Sequence, residues 1–224
     1  MNLLAIDTST ELASIALSIN GEILRKEQGA QRSHARVLLP MIEELIAEAQ
    51  TGLGQLDAIV FGQGPGSFTG LRIACSIAKG LAYANDLPLY PVSSLAAIAN
   101  EAMFTQNDFQ NTNLIALLDA RMNQLYWGCL YGTSNEVIEQ VSAPGDIHLD
   151  LNQGPFILAG VGYETYLAHF SKDLLAKISN HLVIYPKAEA MIRMVLAGAI
   201  EKISAADALP VYIRNQITQG EPRG

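Results

Sequence analysis

The chain has 224 residues, half of them hydrophobic and 16% charged, which excludes the disordered and polyelectrolyte classes and leaves room for one large domain or two small ones. Its 14 Lys and Arg against 22 Asp and Glu give a net charge of −8, spread evenly along the chain, so it is not expected to grip a phosphate backbone or an anionic membrane unaided. Cys75 and Cys129 form no CxxC pair, the opening Met1 to Asp7 has no basic n-region, and no run reaches 18 apolar residues; a cytoplasmic protein without disulfide or structural zinc is expected.

Leu3 to Asp7 is an apolar run ending in an acid, followed by the turn-forming hydroxyls of Thr8, Ser9 and Thr10. Stretches 14–19 and 22–27 flank Asn20-Gly21, both tolerant of positive φ, and predict a hairpin, so three antiparallel strands open the chain. From Ser33 the apolar positions Leu38, Met41, Ile42, Leu45, Ile46 and Ala49 recur at helical spacing, with Pro40 expected to kink this helix or to begin its regular part. Strand 58–61 leads into a glycine-rich turn, Gly62 to Gly70, and a helix to about Asn85; strand 87–92 and a helix from Ser94 to Met103 follow. The polar stretch 105–113 reads as a linker between an N-terminal lobe, 1–104, and a C-terminal lobe, 114–224.

Beyond the linker the opening scheme returns. Strand 114–119 again ends in an acid, 124–131 and 137–141 again form a hairpin, 156–159 and 182–185 read as later strands, and helices are expected near 163–176 and 188–203. Asp7 and Asp119 are 112 residues apart, half the chain, which suggests a duplication. Two such halves predict an α/β fold of two mixed-sheet lobes with packed helices: the actin-like (ASKHA) architecture of duplicated ribonuclease H-like units.

The glycine turn is the densest feature. It lacks the Gly-Lys-Ser/Thr of a P-loop, the next lysine being Lys79, and Ser67 stands where a dinucleotide fingerprint starting at Gly62 needs glycine. Two readings remain: an anion site at the helix N-terminus, around Gly64, Gly66 and Ser67, or a tight turn capped by Ser67 or Thr69. Asp7 and Asp119 either line the cleft between the halves, where an actin-like protein keeps its nucleotide and metal, or simply cap the turns after their strands, with Arg121 pairing to Asp119. The histidines, His34, His148, His169 and His181, lack metal-ligand spacing; there is no GxSxG elbow, and Cys75 has no base near it in sequence.

Residues 58–100 hold only three charges, Arg72, Lys79 and Asp86, in 43 positions. The helix over 69–85 therefore has little polar face, and is either sandwiched within its own half or covered by a second protein. In the preceding helix Arg32 and Arg36 lie at the N-terminal end and Glu43, Glu44 and Glu48 in the later turns, against the helix dipole, with Glu44 and Glu48 repelling at i,i+4 spacing. These charges are expected to face a partner, and reversing Arg36 and Glu44 is expected to change association.

Ala5-Ile6-Asp7-Thr8-Ser9-Thr10, Ser33-His34-Ala35, Leu39-Pro40, the GPGSFTGLR string from Gly64 to Arg72, Pro91-Val92-Ser93, Asp119-Ala120-Arg121-Met122 with Tyr126-Trp127, and Pro210-Val211-Tyr212-Ile213-Arg214 closely resemble the TsaB (YeaZ) family. The resemblance implies an actin-like subunit needed for threonylcarbamoyladenosine formation beside the anticodon of tRNAs reading codons that begin with A. It implies a non-catalytic partner of TsaD, joined by the ATPase TsaE, while TsaC or a relative supplies threonylcarbamoyl-adenylate. TsaD has a Val-His-His-Met-Glu-Xaa-His segment carrying two metal histidines; the equivalent Val92 to Ile98 has Ser94 and Ile98 in their places, and neither replaces imidazole as a ligand.

The same resemblance implies a scaffold that binds TsaD through the helices near 35–49 and 69–83, with Arg36, Leu39, Arg72, Ile73, Ser76, Lys79 and Gly80 at the surface, and that forms a homodimer through the same face when alone. No cofactor of its own is expected; ATP or ADP enters only at an interface with partners, around Asp7, Gly64, Gly66, Ser67 and Asp119, and tRNA is engaged indirectly. Charging Ile73 or Ala78 is expected to abolish pairing without unfolding. The rival readings are an actin-like nucleotide-binding ATPase using Asp7, Asp119 and the glycine loop, and a glycoprotease-like metallopeptidase.

Overall fold

The computed structural model describes residues 1–29, 34–106, 113–132 and 138–213. The predicted opening hairpin is present: β1 (Leu3–Asp7), β2 (Leu12–Ile19) and β3 (Glu22–Gly29) are antiparallel, with Asn20 and Gly21 both at positive φ in the turn. Two parallel strands complete the sheet, β4 (Ala58–Gly64) beside β1 and β5 (Leu89–Ser93) beside β4, in the order β3-β2-β1-β4-β5. The second half repeats this plan. β6 (Asn113–Asp119), β7 (Leu125–Leu130) and β8 (Ile138–Ser142) are antiparallel, β9 (Phe156–Val161) and β10 (Ile178–Val183) are parallel additions, and the order β8-β7-β6-β9-β10 matches the first sheet strand for strand. Asp7 and Asp119 are the last residues of the two equivalent central strands, so the duplication and the actin-like, ribonuclease H-like architecture are both present.

Helices α1 (His34–Glu48) and α2 (Phe68–Ala84) cover one face of the first sheet, where Leu38, Leu45, Ala74 and Ala78 pack against Ile6, Ile15 and Phe61. Pro40 does not begin α1; the helix runs through it, and both Pro40 and Arg36, the carbonyl partner it cannot serve, are exposed. The charge pattern of α1 has an internal explanation, since Lys26 of β3 sits 3.0 Å from Glu44 and 3.5 Å from Glu48 and bridges two acids whose spacing alone predicts repulsion.

The helices after β5 and β10 cross over. α3 (Ser94–Thr105), which follows the first sheet in sequence, packs Leu95, Ile98 and Ala102 on Leu114, Ala116 and Ala159 of the second. α5 (Ala188–Leu196) returns the exchange, setting Met191, Ile192 and Val195 on Leu3, Ala5 and Val60 of the first. Residues 203–212 follow it to the first half, where Ile203 bridges Leu89 and the Val211 N–H donates to the Gln63 carbonyl at 2.7 Å. The cut at 105–113 thus separates the sheets but not their helices; α3 extends to Thr105, β6 begins at Asn113, and 107–112 lie outside the described residues.

Two helices fall short of expectation. The one expected to Ile203 stops at Leu196, because Gly198, at φ 74°, closes it with paired bonds from the Gly198 and Ala199 N–H groups to the Val195 and Met194 carbonyls. The one expected over 163–176 is a 3-10 turn, Glu164–His169, and the four-residue α4 (Lys172–Leu175), restarted by Ser171 as its N-cap. The turn joining β7 to β8 falls on 133–137, outside the described residues. Among the described residues no helix is long and apolar enough to cross a membrane.

Candidate functional site

A cleft of about 1260 Å³ lies between the ends of the two central strands. One wall is the β1–β2 turn (Ser9 to Glu11), His34 and the start of α2; the other is Leu118 to Arg121, Tyr126 and Gly162. Tyr185 spans the halves to donate to the Glu11 carboxylate at 2.8 Å. Gly66, Ser67 and Asp119 line the cleft, whereas Asp7 and Gly64 do not.

Both acids do the same local work in their halves. The Ser9 N–H and hydroxyl donate to Asp7 Oδ1, at 3.0 and 2.8 Å; the Arg121 N–H donates to Asp119 Oδ1 at 2.7 Å. Each therefore caps the turn after its strand. Asp119 also accepts from the Tyr166 hydroxyl at 3.0 Å and pairs with Arg121 at 3.3 Å, at the head of a turn in which Arg121, Met122 and Asn123 are all left-handed. Asp7 is fully buried, and loss of hydration pushes its pKa up to about 7 against the lowering bonds from Ser9.

The glycines of the loop are explained by the chain itself. A Cβ on Gly66 would lie 2.4 Å from the Ser9 carbonyl oxygen, one on Gly70 1.8 Å from that of Thr8, and one on Gly64 2.7 Å from that of Val211. The Ser67 N–H donates to the Ser9 carbonyl at 2.7 Å, while the Ser67 hydroxyl caps α2 by accepting from the Gly70 N–H. The backbone approach that a phosphate needs is thus taken by residues 8 and 9, and the capped-turn reading holds. Together with the enclosure of Asp7, this leaves a poor fit for the nucleotide and metal that an actin-like ATPase holds between its halves.

Nor do the described residues assemble a metallopeptidase site. Ser94 and Ile98 are fully buried, and no group of three His, Cys, Asp or Glu able to hold a metal occurs among the described residues. Both thiols are buried, which raises their pKa values, that of Cys129 to about 12, away from nucleophilic use.

The outer face of α2 is open. Arg72, Ser76 and Gly80 are exposed in one stripe with Tyr83, Lys79 is half-buried, and on α1 Arg36 and Leu39 are exposed. The inner side of α2 packs on its own sheet, with α1 and residues 203–208 joining the same core. The expectation that a charge at Ala78 spares the fold is overturned: Ala78 is fully buried in the core, so a charge there attacks the fold, and Ile73 is half-buried against the same core. Sequence reasoning missed the strap formed by 203–212. Lys79 Nζ donates to the Ala206 and Ala208 carbonyls at 3.1 and 3.3 Å, Arg72 Nε donates to the Tyr212 hydroxyl at 3.1 Å, and the Arg72 guanidinium lies 3.7 Å over the Phe68 ring, which meets Tyr212. The Pro210-Val211-Tyr212 motif, far from the other motifs in sequence, was the available signal.

The family model described as TsaD, tRNA N6-adenosine threonylcarbamoyltransferase, matches residues 21–206. Relatives named tRNA threonylcarbamoyladenosine biosynthesis protein TsaB include those of Haemophilus influenzae, 36% identical over 97% of this chain and 95% of its own length, and Escherichia coli, 33% identical over 97% and 96%. The solved structure of YeaZ from Pseudomonas aeruginosa superposes with a TM-score of 0.83 at 36% identity, covering 94% of this chain and 99% of that one.

Proposed function

This chain belongs to the TsaB family, and on that premise we propose that it serves threonylcarbamoyladenosine formation in tRNA as a non-catalytic scaffold. On this reading it binds a TsaD subunit, together with TsaE, through the outer faces of α1 and α2, and pairs with itself there when alone. The partner grips the RNA, which suits a chain of net charge −8. Nucleotide enters only at the joint surface with the partners. The non-enzymatic reading is supported by the closed site chemistry: loop glycines packed on their own turn, a sealed Asp7 and two inert thiols.

The observation that carries the interface is Gly80. A glycine inside a helix costs about 1 kcal/mol relative to alanine. Nothing among the described residues requires it, because a Cβ at this exposed position would meet none of their atoms within 4 Å. A second backbone approaching α2 here supplies the requirement. Gly80→Ala is therefore expected to raise the urea midpoint, by up to about 1 kcal/mol in stability, while weakening the complex with TsaD in light scattering. The deciding experiment is reconstitution of tRNA modification from purified TsaC-type enzyme, TsaD and TsaE. Product is expected with this chain and not without it, and Ser76→Arg is expected to abolish both the complex and the product. Undiminished product without the chain sinks the scaffold reading; an intact complex with Ser76→Arg sinks the interface.

A further inference from the structure

Asp7 is a carboxyl that the fold encloses rather than pairs. One oxygen takes both hydrogen bonds from Ser9; the other is buried without a partner among the described residues. That second oxygen lies against Gly62, so close that a Cβ there would sit 1.9 Å from it, and the Met191 methyl borders the same spot, 3.2 Å from that Cβ position. Met191 is fully buried on α5, the helix that reaches the first sheet from the other half. Around the carboxyl are Ser9 from the turn, Gly62 from β4 and Met191 from α5, while Ser14 of β2, the ladder partner of Asp7, takes the Ala188 N–H of α5 and Lys187 just before that helix pairs with Glu101. The charges of α5 are turned elsewhere, Glu189 to Arg25 and Arg193, and Arg193 to Glu101; no ionised group contributes to the shift of Asp7.

An ionised oxygen buried against a glycine backbone, at a spot bordered by a thioether methyl, loses its hydration with no hydrogen bond in return, a far heavier penalty than a neutral carboxyl bears there. We propose that Asp7 is a proton-held lock between the halves: as a neutral acid it lets Met191 seat α5 on the first sheet, and on ionising it loosens that helix. Because α5 packs on α3, which covers the second sheet, the loosening reaches the joint between the sheets and the cleft above it. Burial places the change of state near neutrality, with a pKa of about 7.

The sign is set by linkage. An acid whose pKa is higher folded than unfolded contributes stability that is full at low pH and is lost as pH rises from about 4 to about 7. In Asp7→Asn the amide oxygen keeps the Ser9 bonds and does not titrate. Relative to that variant, the unfolding equilibrium constant of the wild type is expected to rise about tenfold per pH unit across the window and then level off.

The direct test is NMR of the wild-type chain carrying 13C in its aspartate carboxyls and methionine methyls. The Asp7 carboxyl is expected to titrate near 7, and the Met191 methyl to shift with the same midpoint, becoming flat in Asp7→Asn. A carboxyl midpoint near 4 overturns the proposal, about where an ordinary aspartate titrates. So does a Met191 methyl that stays still while the carboxyl titrates near 7. Both nuclei are read in the wild type, so a poorly folding Asp7→Asn chain does not rescue the idea.

Discussion

Gly70→Val is expected to lose more than about 3 kcal/mol of folding stability, at the upper end of overpacking effects. Gly70 is buried in the first turn of α2, and the Thr8 hydroxyl donates to its carbonyl at 2.8 Å, holding the two backbones face to face. A Cβ would meet the Thr8 carbonyl oxygen at 1.8 Å and its carbon at 3.0 Å. Neither atom belongs to a side chain that can rotate away, so relief requires prising the glycine loop off the β1–β2 turn, and with it the Ser67 to Ser9 bond. The measurement is the urea midpoint; one within experimental error of the wild type refutes the packing described for the loop.

Ala78→Asp is expected to leave little folded protein. The residue is fully buried where α2 meets the first sheet, among side chains that are apolar on every side. Burying an unpaired carboxylate costs several kcal/mol, against a total stability of about 5–15 kcal/mol for a typical domain. Ser76→Asp, two residues earlier on the exposed stripe, is expected to keep the native near-UV circular dichroism and thermal midpoint. Equal tolerance of the two charges contradicts the orientation of α2.

That orientation marks where sequence reading ended. The antiparallel strands that open each half, the Asn20-Gly21 hairpin and the equivalence of Asp7 with Asp119 were legible because they rest on local signals: alternation, turn residues and a repeated acid at a strand end. The end of α5 was within reach through Gly198, whose closing role depends on a left-handed conformation. The exchange of α3 and α5 between sheets was not, since both are short helices with apolar faces that fit either sheet. The glycine loop is the sharpest case. A missing Cβ signals close approach but not what approaches, and a phosphate and the carbonyls of Thr8 and Ser9 leave the same mark in the sequence. Likewise Lys26 hid its role between Glu44 and Glu48, because it reaches them across a strand–helix contact rather than along α1.

The path of the chain after β10 bears on synthesis. The second sheet is built from one uninterrupted stretch, Asn113 to Val183, whereas the first draws on both ends of the chain, with α5 and the strap closing over strands made at the start. On the ribosome the later-made sheet has all its strands while the earlier one still lacks a cover for Leu3, Ala5 and Val60. The first-made surface is therefore the last to be sealed, and α2 gains the clasp that Lys79 and Arg72 make with residues 206–212 only after α5 has been made.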